Sequence, residues 1–137
     1  MNVLVLCTGN SCRSQMAEAF FRFHGFSVKS AGIEKHGMNQ HAVKVMKEIG
    51  IDISMQYSKT IDQINLKEID LLVTVCDHAK QSCPTIPGIK NVFHKSFEDP
   101  ASYPVNDPAD LLIYRTIRDK IKQYVSKIVK QINNYNG

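Results

Sequence analysis

The feature that most constrains the fold of this chain is an apolar run near the start of the sequence that leads through a turn into a helix. Residues 3–6 read Val-Leu-Val-Leu, which is typical of a strand buried on both faces. Turn-forming residues 7–11 follow, and apolar residues then recur with helical spacing until Gly25. A buried strand that opens a helix through a short turn predicts an α/β fold with a parallel sheet.

The rest of the chain repeats these patterns. Further strands are predicted at residues 26–30, 70–75 and 89–94. A second helix is predicted between Asn39 and Gly50, and a long amphipathic helix after Asp107, which we expect to be its N-cap with Pro108 at the first helical position. This order predicts a single three-layer domain over residues 1–137, with a four-stranded parallel sheet flanked by helices.

Charge, hydropathy and cysteine content exclude several classes of function. The chain has 137 residues, 17 Lys plus Arg and 13 Asp plus Glu, so its formal net charge is +4. That excess suits small anions and is too small to predict nucleic-acid binding. No stretch approaches the length and apolarity of a membrane span, and the N-terminal residues lack a signal-peptide pattern. We therefore expect a cytoplasmic protein, in which four cysteines indicate metal or redox chemistry before structural disulfides.

The turn after the first strand has the composition of an anion-binding loop. Glycine and asparagine tolerate positive φ, so the loop can curl its N–H groups inward, and the following helix N-terminus adds partial positive charge. Arg13 supplies a planar fork for two oxygens of a tetrahedral oxyanion. The predicted substrate-binding residues are Thr8, Gly9, Asn10, Ser11, Cys12, Arg13 and Ser14.

Cys7 lies at the start of this loop. The same positive groups are expected to lower the pKa of its thiol, so the sequence predicts a nucleophilic thiolate. The alternative is a buried cysteine at a strand end with no chemical role.

At this point the sequence resembles a known family. Residues 7–18, Cys-Thr-Gly-Asn-Ser-Cys-Arg-Ser-Gln-Met-Ala-Glu, are similar to the phosphate-binding loop of low-molecular-weight protein tyrosine phosphatases. The longer similarity, through residues 30–34, 36–37, 47–54 and Arg118-Asp119, is to the thioredoxin-coupled arsenate reductases that share that fold. This resemblance covers nearly the whole chain and implies arsenate as substrate, with phosphate or sulfate as mimics, thioredoxin as partner and no cofactor.

The second cysteine pair fits the reductase better than the phosphatase. Cys76 and Cys83 are seven residues apart, and Cys76 ends the third predicted strand. A thiol that reduces arsenate must pass its oxidation to further thiols before it can turn over. The resemblance implies that Cys76 attacks Cys7, and that Cys83 then attacks Cys76 in a segment that rearranges. Two other interpretations stay open. Cys76 could be a core residue with an incidental Cys83, or the cysteines could form a zinc site, which is disfavoured because the Cys76–Cys83 spacing is too wide for a zinc knuckle.

A general acid is needed to protonate the leaving oxygen. The chain offers two Asp-Pro-Ala tripeptides, which begin at Asp99 and Asp107. Asp107 is assigned to the helix cap, and residues 97–101 resemble the acid loop of the family, so we assign the acid role to Asp99. The family usually has a Trp-Gly pair before this loop, where this chain has Lys95-Ser96 and no tryptophan anywhere.

Some relatives bind potassium beside the loop, and Asn10, Glu18 and Ser30 match that site. Lys59 stands where an aspartate would help, so we expect potassium binding to be weak or absent.

Three hypotheses follow from these residues. The first is a monomeric arsenate reductase that uses Cys7, Arg13 and Asp99 for the anion and Cys76 and Cys83 as a disulfide relay regenerated by thioredoxin. The second is a phosphatase for phosphotyrosine or small phosphate esters, disfavoured because Ala101 follows the Asp-Pro pair where phosphatases usually have Tyr. The third, a non-catalytic anion-binding or redox-sensing domain, is disfavoured by the complete catalytic set.

Overall fold

A computed structural model describes residues 1–77, 79, 89, 91–107 and 111–136, and the side chains of these residues except 134–136. Its strands are β1 (Asn2–Cys7), β2 (Ser27–Gly32), β3 (Leu71–Thr74) and β4 (Asn91–His94). Its helices are α1 (Arg13–Phe23), α2 (Gln40–Lys47) and α3 (Leu112–Asn136), and single 3₁₀ turns lie at Ile61–Gln63, Leu66–Glu68 and Pro100–Ser102.

The strands form one parallel sheet in the order β2-β1-β3-β4. Every residue of β3 and all but the first of β1 are buried, as expected for central strands covered on both faces. The predicted four-stranded parallel α/β fold is therefore confirmed. Because all four strands run the same way, the loops after β1 and β3 emerge at the same edge of the sheet.

The helix predictions hold in part. In α1, Met16, Ala17 and Phe20 are buried as the periodicity indicates, but Phe23 is 76% exposed. The predicted cap of α2 is confirmed, since the Asn39 side chain accepts hydrogen bonds from the N–H groups of His41 and Ala42.

The long helix begins later than the sequence predicts. Its first residue is Leu112, and the Leu111 carbonyl accepts the first helical hydrogen bond, from Arg115. Asp107 therefore does not cap this helix, and the prediction for Pro108 falls on residues 108–110, outside the described part of the chain. The helix packs against α1 and α2 through a face that includes Ile117, Ile121 and Ile128, all buried.

Within the part of the chain that the structure describes, no helix is both long and apolar enough to cross a membrane.

Candidate active site

The loop between β1 and α1 is held as a cradle by the segment that follows β2. Backbone N–H groups of that segment donate to four loop carbonyls: Ile33 to Cys7 (3.3 Å), Glu34 to Thr8 (2.9 Å), His36 to Gly9 (3.0 Å) and Asn39 to Ser11 (3.0 Å). With its carbonyls held outward, the loop turns its N–H groups toward the inner side. This is the backbone arrangement that binds anions, and it lies at the N-terminus of α1.

Asn10 fixes the tightest point of the cradle. Its φ is 50°, the left-handed conformation that the sequence predicts for it. Its buried side-chain amide donates to Ser14 (2.8 Å) and Ser30 (2.9 Å), and its carbonyl oxygen accepts from the backbone N–H of Lys59 (2.9 Å) and from Gln15 (3.0 Å). These bonds offset the backbone cost of the turn, so Asn10 supports the loop from behind.

Two glycines provide space for the loop. Gly9 tolerates positive φ, as Asn10 does, but among the described residues only Asn10 of this loop adopts it. A Cβ at Gly9 would lie 2.2 Å from the His36 ring, so the position has no room for a larger residue. No local pattern singled out Gly32, where a Cβ would lie 2.7 Å from the Thr8 carbonyl oxygen and 2.9 Å from the Asn10 nitrogen. Only the strand register, which pairs Gly32 with Cys7, reveals this close approach.

Arg13 and Asp99 meet at the mouth of the cradle. The buried Arg13 guanidinium donates to the Phe97 carbonyl (3.0 Å), and its other terminal nitrogen lies 3.8 Å from Asp99 Oδ2. The Asp99 side chain is 46% exposed, so solvent reaches its carboxyl group. The structure thus places the predicted acid beside the predicted anion-binding arginine.

Asp99 also has an N-capping role, which was predicted for Asp107. It is the N-cap of the 3₁₀ turn Pro100–Ser102, and its Oδ1 accepts from the Ala101 N–H (3.0 Å). The bond leaves Oδ2 directed at Arg13. A capping role therefore did not distinguish the two Asp-Pro-Ala motifs, whereas the position of residues 97–102 in space does.

The segment before Asp99 packs without a tryptophan. The Phe97 ring lies 5.6 Å from the Tyr124 ring, and the Lys95 ammonium lies 5.7 Å and 5.8 Å from their centroids. A cation over two aromatic faces stabilises this packing. Lys95 thereby helps to hold the Phe97 carbonyl that orients Arg13.

Cys76 reaches the cradle from the end of β3. Its Sγ lies 3.2 Å from the Thr8 hydroxyl and accepts a hydrogen bond from the Ala79 N–H (3.3 Å). It also hydrogen-bonds the Cys7 thiol. Both sulfurs are buried and free, so the structure brings together the two thiols that the sequence predicts for the first disulfide.

The charge of this thiol pair differs from the prediction. The hydrogen bond from Cys7 is the largest influence on Cys76 and, with those from Thr8 and Ala79, lowers its pKa to about 5. The hydrogen bond to Cys76 and burial raise the pKa of Cys7. These shifts favour the negative charge on Cys76 in the anion-free pair, whereas the loop composition predicts it on Cys7.

Two further titratable groups lie in the loop or beside it, Cys12 and Tyr114. Burial raises the pKa of the Cys12 thiol to about 12, which leaves it protonated at neutral pH. Tyr114 of α3 is also buried; its hydroxyl accepts a hydrogen bond from Asn39 (3.1 Å), and burial raises its pKa. Tyr114 fell within the helical periodicity and gave no separate signal. Cys83, the third predicted relay thiol, lies outside the described residues.

The predicted potassium ligands come together but do not fit a cation. Ser30 donates to Glu18 (2.8 Å), and the Lys59 ammonium lies 3.8 Å from Glu18 and 3.3 Å from the Tyr57 carbonyl. The positive charge of Lys59 would repel a bound cation here. Among the described residues, no three His, Cys, Asp or Glu side chains gather to hold a metal ion.

The chain is similar to known proteins along most of its length. The family model of the low molecular weight phosphotyrosine protein phosphatases matches residues 2–136. A protein named arsenate reductase from Halalkalibacterium halodurans is 51% identical over 122 residues, which are 87% of this chain and 88% of that protein.

Solved structures with the same fold include proteins of both names. An arsenate reductase in the oxidized state superposes with a TM-score of 0.82 at 29% identity, over 96% of this chain and 98% of that one. A low molecular weight protein tyrosine phosphatase from T. tengcongensis superposes with a TM-score of 0.79 at 29% identity, over 96% and 99%. The chain therefore belongs to the low molecular weight phosphotyrosine protein phosphatase family, and its similarity to proteins named arsenate reductase extends along most of its length.

Proposed function

We propose that this protein reduces arsenate to arsenite, with Cys7 as nucleophile and Cys76 and Cys83 as the thiols that remove the oxidation. The observation that carries the proposal is the position of the buried Cys76 sulfur, which lies 3.2 Å from the Thr8 hydroxyl of the cradle and interacts with the Cys7 thiol. Hydrolysis of a phosphate ester needs one thiol, whereas reduction needs a second within bonding reach. The relative named arsenate reductase, 51% identical to this chain, supports the same choice.

The first step uses the cradle. Loop N–H groups and Arg13 hold the oxygens of arsenate, and Cys7 attacks arsenic as its proton passes to Cys76. Asp99 gives a proton to the oxygen that leaves as water. Oriented donors of this kind act mainly on the charge that develops in the transition state, and each is typically worth about 10²–10³-fold in rate.

The second step transfers the electrons. Cys76 must lose its proton again before it attacks the sulfur of Cys7, and its hydrogen bonds with the Thr8 hydroxyl and the Ala79 N–H favour the thiolate at this step. The Cys7–arsenic bond breaks, its electron pair stays on arsenic, and arsenite leaves with arsenic reduced from the +5 to the +3 state. Cys83 then attacks Cys76 and releases the Cys7 thiolate. Thioredoxin reduces the Cys76–Cys83 disulfide, and no organic cofactor or metal takes part.

We further propose that the chain acts as one monomeric domain in the cytoplasm. A reducing compartment keeps the three relay thiols ready for each turnover. Phosphate or sulfate would occupy the same cradle, because both share the shape and charge of arsenate.

A test is consumption of NADPH coupled through thioredoxin reductase and thioredoxin, with and without arsenate. We expect consumption that depends on arsenate; its absence in the wild-type protein would refute the proposal. Cys76→Ser and Cys83→Ser form a matched pair. Cys76→Ser should release no arsenite, whereas Cys83→Ser should release one equivalent and then stop.

The second candidate is a phosphatase, favoured by the likeness to the T. tengcongensis enzyme. It would use Cys7, Arg13 and Asp99 in the same way and would not need Cys76. Hydrolysis of a small aryl phosphate that survives Cys76→Ser, without any arsenate-dependent consumption of NADPH, would favour this function. Absence of both activities would favour a non-catalytic anion-binding or redox-sensing domain.

A further inference from the structure

A chain of hydrogen bonds ties the residue after Cys76 to the sheet. The Thr74 hydroxyl lies 2.6 Å from His94 Nδ1, and His94 Nε2 lies 3.0 Å from Asp77 Oδ1. Thr74 and His94 are register partners at the ends of β3 and β4, so the imidazole is mounted on two adjacent strands. We call Thr74, His94 and Asp77 the clasp.

The chemistry of the three groups determines where the protons lie. The Asp77 carboxylate only accepts, so Nε2 carries a hydrogen and donates to it. In the neutral ring Nδ1 is then the acceptor, and the Thr74 hydroxyl donates to it. Thr74 is buried, whereas the Asp77 side chain is 69% exposed. The clasp therefore connects an exposed carboxylate to a rigid point inside the sheet.

The position of Asp77 links the clasp to the Cys76 sulfur. It lies between Cys76 and Ala79, whose N–H donates to the Cys76 sulfur at 3.3 Å. The same sulfur lies 3.2 Å from the Thr8 hydroxyl at the cradle. A backbone displacement at Asp77 would move the sulfur away from both partners and from Cys7.

We propose that His94 is a positioning residue for the disulfide step: through Asp77 it holds the Cys76 sulfur at the cradle, beside Thr8 and Cys7. This inference rests on the proposed relay. It assigns His94 no contact with arsenate, so the anion cradle should work without it.

The test is the equilibrium of the Cys7–Cys76 disulfide with glutathione in a Cys83→Ser background, with no arsenate present. One glutathione disulfide and the two protein thiols give the protein disulfide and two glutathione thiols, and mass spectrometry of the quenched sample counts each form. We expect His94→Ala to lower this equilibrium constant about twofold to tenfold, the range of one net hydrogen bond. An unchanged constant would overturn the inference.

Two smaller substitutions separate the arms of the clasp. His94→Gln can still donate to Asp77 and should resemble wild type, whereas His94→Asn can reach only Thr74 and should resemble His94→Ala. The reverse order would overturn the proposal. Asp77→Ala should reproduce the loss, and its combination with His94→Ala should add little, because both variants break one contact.

Other readouts exclude a merely structural role and separate this inference from the proposed function. In His94→Ala the aryl phosphatase rate and the arsenate KM should stay near wild type, while the thioredoxin-coupled kcat falls. A phosphatase rate and a kcat that fall equally, with a changed KM and a lower unfolding temperature, would overturn the inference. His24→Ala, an exposed histidine at the end of α1, is the control. If wild type reduces no arsenate but the glutathione equilibrium still depends on His94, only the proposed function fails.

Discussion

The charge on the Cys7–Cys76 pair offers a sharp test of the site. Cys76 has a pKa of about 5, against an ordinary value of 9.0. At pH 7 it is therefore mostly thiolate, whereas an ordinary thiol is mostly protonated. Cys7, whose pKa is raised, stays protonated, so the structure predicts one thiolate in this pair from mildly acidic to neutral pH.

Thr8→Val perturbs this charge with little change of shape. It removes the hydroxyl that lies 3.2 Å from Cys76 Sγ, whereas Cys7 keeps its partners, the Cys76 thiol and the backbone of residue 8. Hydrogen bonds to charged groups contribute about 1.5–3 kcal/mol, which corresponds to one or two decades in a proton equilibrium. We expect the midpoint of the Cys76 titration to rise by about one pH unit, less than the full value because the Cys7 and Ala79 hydrogen bonds remain.

The assay is the ultraviolet absorbance of the thiolate, followed from acid to alkaline pH in a Cys83→Ser background. Cys12 contributes little below pH 10, because its pKa is about 12. Thr116→Val is the matched control, since that hydroxyl bonds the Leu112 carbonyl on the surface of α3. Its titration should superpose on that of the unmodified protein.

Alkylation at pH 6 identifies the charged sulfur. Cys7 and Cys76 are almost equally buried, at 2% and 4% exposure, so iodoacetamide compares their charges more than their access. We expect Cys76 to react first and Thr8→Val to slow it. First reaction at Cys7, or an absence of any step near pH 5, would refute the assignment.

Three other substitutions test the support of the cradle. Gly32→Ala should push on the Thr8 carbonyl and destabilise the protein by about 1–3 kcal/mol in denaturant unfolding, and an unchanged stability with unchanged phosphate affinity would contradict the close approach. Arg13→Lys keeps the charge but loses the planar fork, so calorimetric phosphate affinity should fall at least about tenfold. Lys59→Met removes an ammonium whose cost of burial outweighs its attraction to Glu18, so it should change stability at neutral pH by less than about 1 kcal/mol. Burial lowers the pKa of Lys59, so the folded protein loses this proton at a lower pH than the unfolded protein does. The free energy of unfolding of the wild-type protein should therefore rise as the pH approaches 10.5, and that of Lys59→Met should not show this rise.

Much of the fold follows from local pattern. Unbroken apolar runs predict the central strands β1 and β3, and Asn39 predicts the start of α2, because burial periodicity and capping are local properties of the chain. The start of α3 was predicted too early. A proline after an aspartate suits a helix start, but the same pair also begins a single 3₁₀ turn, as it does at Asp99.

The sequence by itself determined the anion loop, because every feature of it is local: a strand end, a residue that accepts positive φ, an arginine and a helix N-terminus within residues 7–14. It also named Cys76 and Asp99 with the help of a family resemblance.

Only the tertiary structure decided how these groups act on one another. The parallel sheet brings Cys76 to Cys7 across 69 positions of sequence, and the resulting hydrogen bond lowers the pKa of Cys76 and raises that of Cys7. The approach of Gly32 to the loop and the mounting of His94 beside Asp77 depend on strand register. Proton sharing, close packing and register are relations between distant residues, and a local pattern carries no information about them.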